Sequence, residues 1–546
     1  MAHPAGWRNS PLGRLRHSGV GSRIALDGGL RMRGPVHVRP VLGAFAMTIT
    51  LVIGAAACSG GDGKGGTGGK RGATASPTSG GAALGVRSLL STKDARVELR
   101  SLERVAGKAV VARFRMLNDR PEGFNTINTE YAGNTEFGNP VPGLSGDSMS
   151  GISLLDGRNL RRYYPLHRSD QKCLCSPFSG GLDLDAKSGI DLFAVFPNPP
   201  KGVDRMDVLF PNAVPFLDVA IKDTASGSVQ IGGETVDLAG VTPAKPVVVP
   251  VTSTVESRTQ VEGDDGENLS VRLSADVLFA LNKADLNAAA QDILRQVAGR
   301  IDRSPGTTVK VDGHTDNSGD DSINGPLSER RAEAVRAQLS KLVTKSGVTY
   351  QVKGHGSADP VESNETDEGR RKNRRVTITF QRPPEPAAAG APAAAGEMEK
   401  NPRTVIGRAA VSPTRPPRVV EGDWLTKGEA VVHSLTRDSA GNATMVWSVR
   451  NDTPGSTYNP RNGLTLEPDA KRPGGVDGVR VAFDERVSRA LYTSTGTLSP
   501  DYGENDQPKE NGETLVSWGI FRIPADVKTV TVQIPGFQHV TNVPVG

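Results

Sequence analysis

One acid and two arginines lie on either side of a polar loop. An alternating strand at 308–313 runs towards Asp316, and a helix is predicted to open at Ser328 with Arg330 and Arg331 in its first turn. Cations are disfavoured at a helix N-terminus, which carries partial positive charge, but arginines beside exposed amides form an anion site. With Asp316 across the loop, such a pocket fits a ligand that carries a carboxylate and an ammonium. The alternative is a surface helix with a solvated Asp–Arg pair.

The same segment follows a longer pattern without a gap: Thr-Asp, ten residues, Leu-Ser, two residues, Arg-Ala, two residues, Val, three residues, Leu. The matching positions are Thr315, Asp316, Leu327, Ser328, Arg331, Ala332, Val335 and Leu339. Further matches are Gly319, Asn324, Asn373, Arg374, Arg375 and Val376. Over residues of about 268–382, the chain therefore resembles the OmpA-like peptidoglycan-binding domain.

The resemblance implies a ligand, the diaminopimelate residue of the peptidoglycan stem peptide. By the same resemblance, Asp316 holds the ammonium of that residue and Arg331 grips its carboxylate, which suits the two-pronged geometry of a guanidinium. Asn324 shapes the loop or donates to the ligand, and Thr315 is expected to set the turn. Arg375 lies near the pocket or locks the last strand.

Two histidines and two departures from the family pattern surround this motif. His314 and His355 lie at strand ends beside glycines, and we expect them to be structural or rim residues rather than catalytic or metal-binding groups. No metal or other cofactor is expected. Arg371 and Lys372 replace an Ala and a variable residue of the pattern, which predicts a more basic back wall for the pocket. The stretch 320–322 lacks the usual apolar or Tyr filler.

The elements that must position these residues are predicted from periodicity. Ile293, Val297 and Ile301 recur on one helical face, whereas Val376 and Ile378 alternate as in a strand. The predicted strands cover 271–280, 308–313, 350–354 and 375–380, with helices at 288–303 and from 328 onwards. This order predicts a central βαβαβ α/β sandwich, in which ligands gather beyond the carboxyl ends of the strands.

Length and charge limit the remaining possibilities. The chain has 546 residues, enough for about three domains. Its formal net charge is +5, but residues 1–57 contain seven Arg and one Asp, a net of +6, so the remainder is close to −1. Because no folded part carries a basic surplus, we expect no nucleic-acid partner.

The N-terminal region has the pattern of a targeting segment. Arginines at 31, 33 and 39 precede an apolar run over 41–56, and the sequence Ala-Ala-Ala before Cys58 resembles a bacterial lipoprotein cleavage box. The run is short for a transmembrane helix. We therefore predict lipidation of Cys58, the alternatives being an uncleaved anchor helix or a soluble-secretion signal.

Two further cysteines, Cys173 and Cys175, are one residue apart. Outside the cytoplasm a strained disulfide between them is the expected state. The alternative is a metal site, which needs two further ligands, His167 being one candidate.

Composition shifts and an internal similarity give the domain organisation. Ser101 and Arg104 recur 333 positions later as Ser434 and Arg437, which indicates a diverged duplication on both sides of the central module. Alternation and frequent turn residues predict that both copies are all-β and sandwich-like. The predicted boundaries are 1–58 leader, 59–83 glycine-rich tether, 84–242 β copy 1, 243–267 linker, 268–382 OmpA-like domain, 383–402 Pro/Ala linker and 403–546 β copy 2.

We expect a non-enzymatic envelope lipoprotein that binds peptidoglycan at one end and a membrane at the other. Neither flank shows a nucleophile elbow, an HExxH motif or clustered catalytic carboxylates. The alternatives are a scaffold whose flanking β domains bind a partner protein and a wall-targeted hydrolase with an unrecognised catalytic domain. The expected location is the extracytoplasmic face of the cell membrane, or the outer membrane of a Gram-negative cell.

Overall fold

A computed structural model describes residues 82–126, 148–238, 245–384, 404–412, 425–453, 478–498 and 512–546, with gaps at residues 91, 93, 171, 179–181, 225–227, 232–233, 281, 494–495 and 513. Cys58, the leader, the tether up to residue 81 and most of the 383–402 linker lie outside the described residues. No helix within those ranges is long and apolar enough to span a bilayer. Ala75–Gly546 form one contact unit.

The first flank is built from strands whose side chains alternate between core and surface. In β2, Ala95, Val97 and Leu99 are buried while Arg96 and Glu98 are half-buried, which is the period of a strand with one face on a core. The strands are β1 Gly85–Ser88, β2 Ala95–Val105, β3 Ala109–Asn118, β4 Phe124–Thr126, β5 Ser153–Asp156, β6 Arg161–Tyr163, β7 Leu182–Leu184, β8 Gly189–Pro197, β9 Arg205–Leu209, β10 Phe216–Ala220, β11 Lys222–Thr224, β12 Ser228–Ile231, β13 Glu234–Asp237 and β14 Val248–Pro250.

These strands form two larger sheets that share one hydrophobic core. The first has the order β1-β2-β3-β8, with β11 paired to β2, and the second has the order β10-β9-β5-β6-β14. Phe114 from the first sheet packs against Phe210, which follows β9 of the second, with ring centroids 5.1 Å apart. The pairs β4–β7 and β12–β13 form separate two-stranded sheets.

The central module contains the predicted α/β elements. Its elements are β15 Ser253–Glu256, β16 Gln260–Asp264, β17 Asn268–Ser274, α1 Ala275–Leu278, α2 Ala288–Arg303, β18 Thr308–His314, α3 Asp321–Leu342, β19 Thr349–Gly354, α4 Asp367–Asn373 and β20 Arg375–Gln381. The strands have the order β19-β18-β20-β17, with β18 and β19 parallel. Buried residues of α2 and α3 pack on Val271, Val311 and Ile378 of the sheet. The prediction of a central α/β domain is confirmed.

The second flank continues the central sheet. Its strands are β21 Gly407–Ala410, β22 Gly428–Arg437, β23 Asn442–Asn451, β24 Arg480–Phe483, β25 Arg486–Arg489, β26 Tyr492–Thr493, β27 Gly496–Thr497, β28 Thr514–Arg522, β29 Thr529–Gln533 and β30 Val540–Pro544. One sheet has the order β21-β22-β23-β28. The other is ten-stranded and runs from the module into the flank, β19-β18-β20-β17-β16-β15-β25-β24-β29-β30.

The segment 243–267, expected to be a linker, thus contains three strands. Strand β14 pairs with β6 of the first flank, while β15 pairs with both β16 and β25. The sequence there, VVVP followed by STVE and QVEGD, is rich in β-branched residues, and these favour strands. The segment is therefore the structural junction of the three predicted domains.

The two flanks correspond strand by strand. The order β1-β2-β3-β8 matches β21-β22-β23-β28, and each long hairpin is interrupted by a bulge, before Ser101 in one copy and before Ser434 in the other. The buried side chains of Asn118 and Asn451 each accept a hydrogen bond from the backbone N–H two residues later, at 2.9 Å. These repeated irregularities are what a duplicated unit would keep. The sandwich-like arrangement of the flanks stays a prediction.

The flanks also pack against each other. A hydrophobic cluster joins Leu155, Leu160 and Leu209 of the first flank to Val446, Trp518 and Ile520 of the second. The Asn442 Nδ2 donates to the Gly157 carbonyl at 3.2 Å across the same interface. The two copies are therefore distant in sequence but adjacent in space.

Candidate ligand site

The loop after β18 is held by backbone contacts at its two key residues. The Thr315 N–H donates to the Gly356 carbonyl at 2.8 Å, and the buried Thr315 Oγ1 makes no hydrogen bond among the described residues. The Asp316 Oδ1 accepts the Ser318 N–H at 2.9 Å, which closes a tight turn. The position of Thr315 thus fits its predicted role in the turn.

Arg374 joins two carboxylates beside this loop. Its Nη1 donates to Asp316 Oδ2 at 2.7 Å, and its Nε and Nη2 donate to Asp276 at 2.9 and 2.6 Å. Burial favours a higher pKa for Asp316, but the hydrogen bonds from Arg374 and Ser318 outweigh it, so the pKa of this carboxyl lies below its ordinary value. Asp316 is therefore a carboxylate at neutral pH.

Arg331 lies in the same cluster but does not pair with Asp316 directly. Its Nε donates to the Lys283 carbonyl at 3.0 Å, and the guanidinium lies 5.4 Å from the centroid of the Phe279 ring. Burial lowers the pKa of Arg331, with Asp276 and Asp316 acting in the opposite direction. Among the described residues, its two terminal nitrogens donate no hydrogen bond. They remain available to a ligand carboxylate.

Asn324 holds the loop together from the first turn of α3. Its Nδ2 donates to the carbonyls of Ser318 and Gly319 at 3.2 and 3.4 Å, and the side chain is buried. The left-handed backbone of Gly319, with φ of 90°, allows the turn between Asp316 and the helix. These contacts are those of a loop-shaping residue, and donation to a ligand stays a prediction.

The predicted start of the signature helix was wrong. Helix α3 begins at Asp321, so Arg330 and Arg331 lie in its third turn rather than its first. The backbone carbonyl of Asp320 accepts the N–H groups of Ile323 and Asn324 at 2.9 Å, and the Asp321 side chain in the first turn suits the positive end of the helix dipole. The predicted anion site at the helix N-terminus was therefore wrong, and Arg331 approaches Asp276, Asp316 and Arg374 from the side of the helix.

Arg375 points away from this cluster. Its Nη2 donates to the Asp359 carbonyl at 2.9 Å and its Nη1 to the Asn373 carbonyl at 3.3 Å. Burial, followed by the nearby charge of Arg272, lowers its pKa to about 10. These contacts are compatible with the predicted role of locking the last strand, which stays a prediction, while the neighbouring Arg374 lies at the candidate site.

The sequence analysis matched Arg374 to the pattern without giving it a role at the site, and it missed Asp276. Alternation along β20 contains the signal for Arg374, because Val376 and Ile378 are buried in the core under the helices and residues two apart share a face. Residue 374 falls on that face and residue 375 on the opposite one. Asp276 comes from the short helix α1, and no spacing in the sequence connects it to the motif.

His314 and His355 stack on the opposite face of the sheet. Their ring centroids are 4.7 Å apart and the rings are 12° from parallel, while His355 contacts Asp312 and Asp359, each at 2.9 Å. Burial and the charge of Arg375 lower the pKa of His314 to about 3. Ligand atoms of His314, His355 and Asp359 lie within 4.8 Å of one another. In near-parallel stacked rings, however, an ion in the plane of one ring lies outside the plane of the other.

The remaining predicted positions lie elsewhere. Cys173 and Cys175 are joined by a disulfide in the first flank, where Cys175 also forms a bridge with Ala194 of β8. His167 forms an isolated β-bridge with Cys173 through the backbone. The predicted lipidation residue, Cys58, lies outside the described residues.

Comparison with known proteins decides the family of this module. A family model described as the OmpA family matches residues 278–374. The lipoprotein YfiB of Escherichia coli is 36% identical over 116 residues, which cover 21% of this chain and 71% of that protein. The chain belongs to the OmpA family. The resemblance stated from the motif is thereby confirmed.

Two other relatives match about a fifth of the chain. The outer-membrane lipoprotein YfiB of Pseudomonas aeruginosa is 39% identical over 19% of this chain and 62% of its own length. The peptidoglycan-binding protein ArfA of Mycobacterium tuberculosis is 40% identical over 19% of this chain and 31% of its own length. The chain thus spans less than two thirds of either protein.

One similar solved structure is the cell wall anchor of the T6SS from Pseudomonas aeruginosa. It is 29% identical and covers 23% of this chain and 89% of that one, with a TM-score of 0.21.

Proposed function

We propose that the chain binds peptidoglycan non-covalently through the diaminopimelate residue of the stem peptide. The observation that carries this proposal is a balanced group of four charges, Asp276, Asp316, Arg331 and Arg374, at the end of β18. A zwitterionic ligand can add one ammonium and one carboxylate to this group without changing its net charge. The names of related proteins, which include a peptidoglycan-binding protein, agree with this chemistry.

The proposed roles follow from the contacts. Asp316 accepts the ligand ammonium, because it is ionised and is held in place by the Ser318 N–H and by Arg374. The terminal nitrogens of Arg331 bind the ligand carboxylate in bidentate fashion, with the guanidinium fixed by the Lys283 carbonyl. A single stem peptide binds weakly, but a tethered protein facing many wall sites is retained effectively.

We further propose that a lipid on Cys58 holds the chain to the membrane, so that the protein connects membrane and wall. The sequence Ala-Ala-Ala-Cys after an apolar run and the glycine-rich tether behind it support this role. Labelling cells with a palmitate analogue should mark the wild-type chain and leave Cys58→Ser unlabelled; equal labelling of both would contradict the anchor.

The proposed role is non-enzymatic, with the flanking β domains as the surface for a possible protein partner. The alternative of a wall-targeted hydrolase predicts release of soluble fragments from purified sacculi. We expect no release by the full-length chain. Release of fragments would contradict the non-enzymatic role and would point to a catalytic residue in the flanks.

Retention on purified sacculi tests the site. Asp316→Ala and Arg331→Ala should each weaken binding by roughly 2–5 kcal/mol, as when one partner of a desolvated charge pair is removed. Arg331→Lys should behave nearly like the Ala variant, because an ammonium lacks the bidentate fork. Arg295→Ala, an exposed change on α2, is the matched control. Unchanged retention of the Asp316 and Arg331 variants would refute the assignment.

Soluble diaminopimelate tests the ligand. Free diaminopimelate should compete with sacculi for the wild-type chain, whereas lysine, which lacks the second carboxylate, should compete far less. Equal competition by both compounds would mean that the site does not recognise the carboxylate and ammonium at the side-chain end of diaminopimelate.

A further inference from the structure

Helix α4 holds the segment 361–364, which precedes it in the chain. A Cβ on Gly369 of α4 would lie 1.9 Å from the Ser363 carbonyl oxygen, so the helix and this segment are in direct backbone contact. The Arg370 Nη1 donates to the Asn364 carbonyl at 2.6 Å. The backbone of the segment is therefore fixed to α4.

The buried side chain of Asn373, at the end of α4, fixes the orientation of the Asn364 amide. The Asn373 Oδ1 accepts the N–H groups of Val361 and Glu362 at 2.8 and 3.0 Å. Its Nδ2 must then face acceptors, and these are the Glu362 carbonyl at 2.8 Å and the Asn364 Oδ1 at 2.9 Å. Because the Asn364 Oδ1 meets this donor, the Asn364 Nδ2 lies on the other side of the amide group.

Asn364 also contacts the loop that carries the proposed ligand-binding acid. Its Oδ1 accepts the Asn317 N–H at 3.4 Å, a long hydrogen bond, and Asn317 directly follows Asp316. Asp316 itself accepts a hydrogen bond from Arg374, the residue after Asn373. Consecutive residues at the end of α4 thus hold the two side chains, which places Asn364 beside the proposed site.

The Asn364 Nδ2 is available as a donor. It makes no hydrogen bond among the described residues, although the Oδ1 of the same amide accepts two. Asn364 is half-buried and its Nδ2 is not enclosed, so a ligand can reach this atom. An amide that is already fixed in orientation binds an oxygen acceptor without a further loss of side-chain entropy.

We propose that Asn364 recognises the peptide part of the ligand by donating a hydrogen bond from its Nδ2 to a main-chain carbonyl oxygen of the stem peptide. This inference rests on the proposed function, in which Asp316 and Arg331 hold the ammonium and the carboxylate at the side-chain end of diaminopimelate. The other end of that residue belongs to the peptide main chain and carries carbonyl oxygens but no free ammonium. A neutral N–H donor suits such an oxygen. Asn364 therefore selects peptide-bound over free diaminopimelate.

The ratio of two affinities tests this role in the full-length chain, purified in detergent. Calorimetric titration gives the Kd for a soluble stem peptide that contains diaminopimelate and the Kd for free diaminopimelate. Asn364→Ala should bind the peptide about fivefold more weakly than the wild type and free diaminopimelate within about twofold of it, since one neutral hydrogen bond is lost. Asn364→Asp keeps an acceptor for the Asn373 Nδ2 but replaces the donor, and the ratio should fall at least as far.

The outcomes separate this inference from the proposed function. Gln296→Glu makes the same amide-to-carboxylate change at an exposed position of α2 and should bind both ligands as the wild type does. If Asn364→Ala weakens both ligands by the same factor, or neither, the selective role of Asn364 is overturned while the site of Asp316 and Arg331 stands. If the wild type binds neither ligand, the proposed function and this inference are both overturned.

Discussion

At the residue scale, Arg374 determines the electrostatics of the candidate ligand site. It donates to Asp276 and Asp316 at once, and the hydrogen bonds of Asp276 and Asp316 together raise the pKa of this guanidinium. The spacing of Asp316 and Arg331 was readable from the sequence because the motif has no gap. The contacts of Arg374 depend on the face of the sheet on which the residue before β20 lies. The contacts of Asp276 and Phe279 depend on the tertiary fold.

Replacing Arg374 should shift the acid limit of wall binding. In Arg374→Gln, Asp316 loses its strongest partner and its pKa rises towards the ordinary value of an aspartate. The ligand ammonium needs an ionised Asp316. As the pH is lowered, the variant should therefore lose its retention on sacculi at a higher pH than the wild type does. NMR titration of the Asp316 carboxyl measures the shift directly. Arg371→Gln, whose partner is Glu368, is the control and should leave that titration unchanged.

At the element scale, two glycines set the distance between α3 and the sheet. A Cβ on Gly313 of β18 would lie 2.0 Å from the Ser328 carbonyl oxygen, and one on Gly354 of β19 would lie 2.5 Å from the Glu329 nitrogen. This close approach places Arg331, three residues after Ser328, over the strand ends. The sequence predicted α2 with its observed bounds, because apolar residues recur regularly along it. It missed the first turns of α3, since polar residues fill them.

Widening this contact should damage both stability and binding. Gly313→Ala should lower the free energy of unfolding by about 3 kcal/mol or more, because backbone rather than a flexible side chain must move. Gly325→Ala on α3 is the matched control, since an added Cβ meets no atom within 4 Å. That variant should be neutral or more stable by up to about 1 kcal/mol. Urea unfolding measures both; equal stability of the two variants would contradict the packing argument.

At the scale of the whole molecule, buried acids lie where the two flanks meet. Burial, followed by the charge of Asp438, raises the pKa of Asp207, and burial raises the pKa of Asp438 to about 6. Asp218 completes the group, with its carboxylate bonded to Ser439 of the other flank. The similarity of the two flanks was visible in the sequence, but the contact between them was not, because it is made by residues more than 200 positions apart.

This interface should make the protein less stable as the pH rises. A raised carboxyl pKa means that the folded state holds protons which the unfolded state has already released. The free energy of unfolding therefore falls as the pH rises from about 4, the ordinary pKa of an aspartate, towards the raised values, which are about 6 for Asp438. In Asp207→Asn, the side-chain amide can donate a hydrogen bond to the Asp438 carboxylate and does not ionise. It should be more stable than the wild type at pH 8, by roughly 1–3 kcal/mol, and less dependent on pH. Urea unfolding at pH 5, 6.5 and 8 provides the measurement.

An exposed acid serves as the comparison for that experiment. Asp285→Asn changes the same group at a solvated position before α2, so its stability curve should follow that of the wild type. If Asp207→Asn follows the same curve, the two flanks are not coupled by a shared proton.

The continuous ten-stranded sheet has a mechanical consequence. Strands β17 and β20 share seven residue pairs, whereas β15 and β25 share only two, Val255–Ser488 and Glu256–Val487. The isolated bridge between Thr252 and Tyr492 and the ion pair between Glu256 and Arg489 add to this short contact, through which a force on the wall-binding module reaches the second flank within the sheet. Under load, β15 and β25 should separate first. The β15–β16 hairpin would then extend while the module stays folded and bound to the wall.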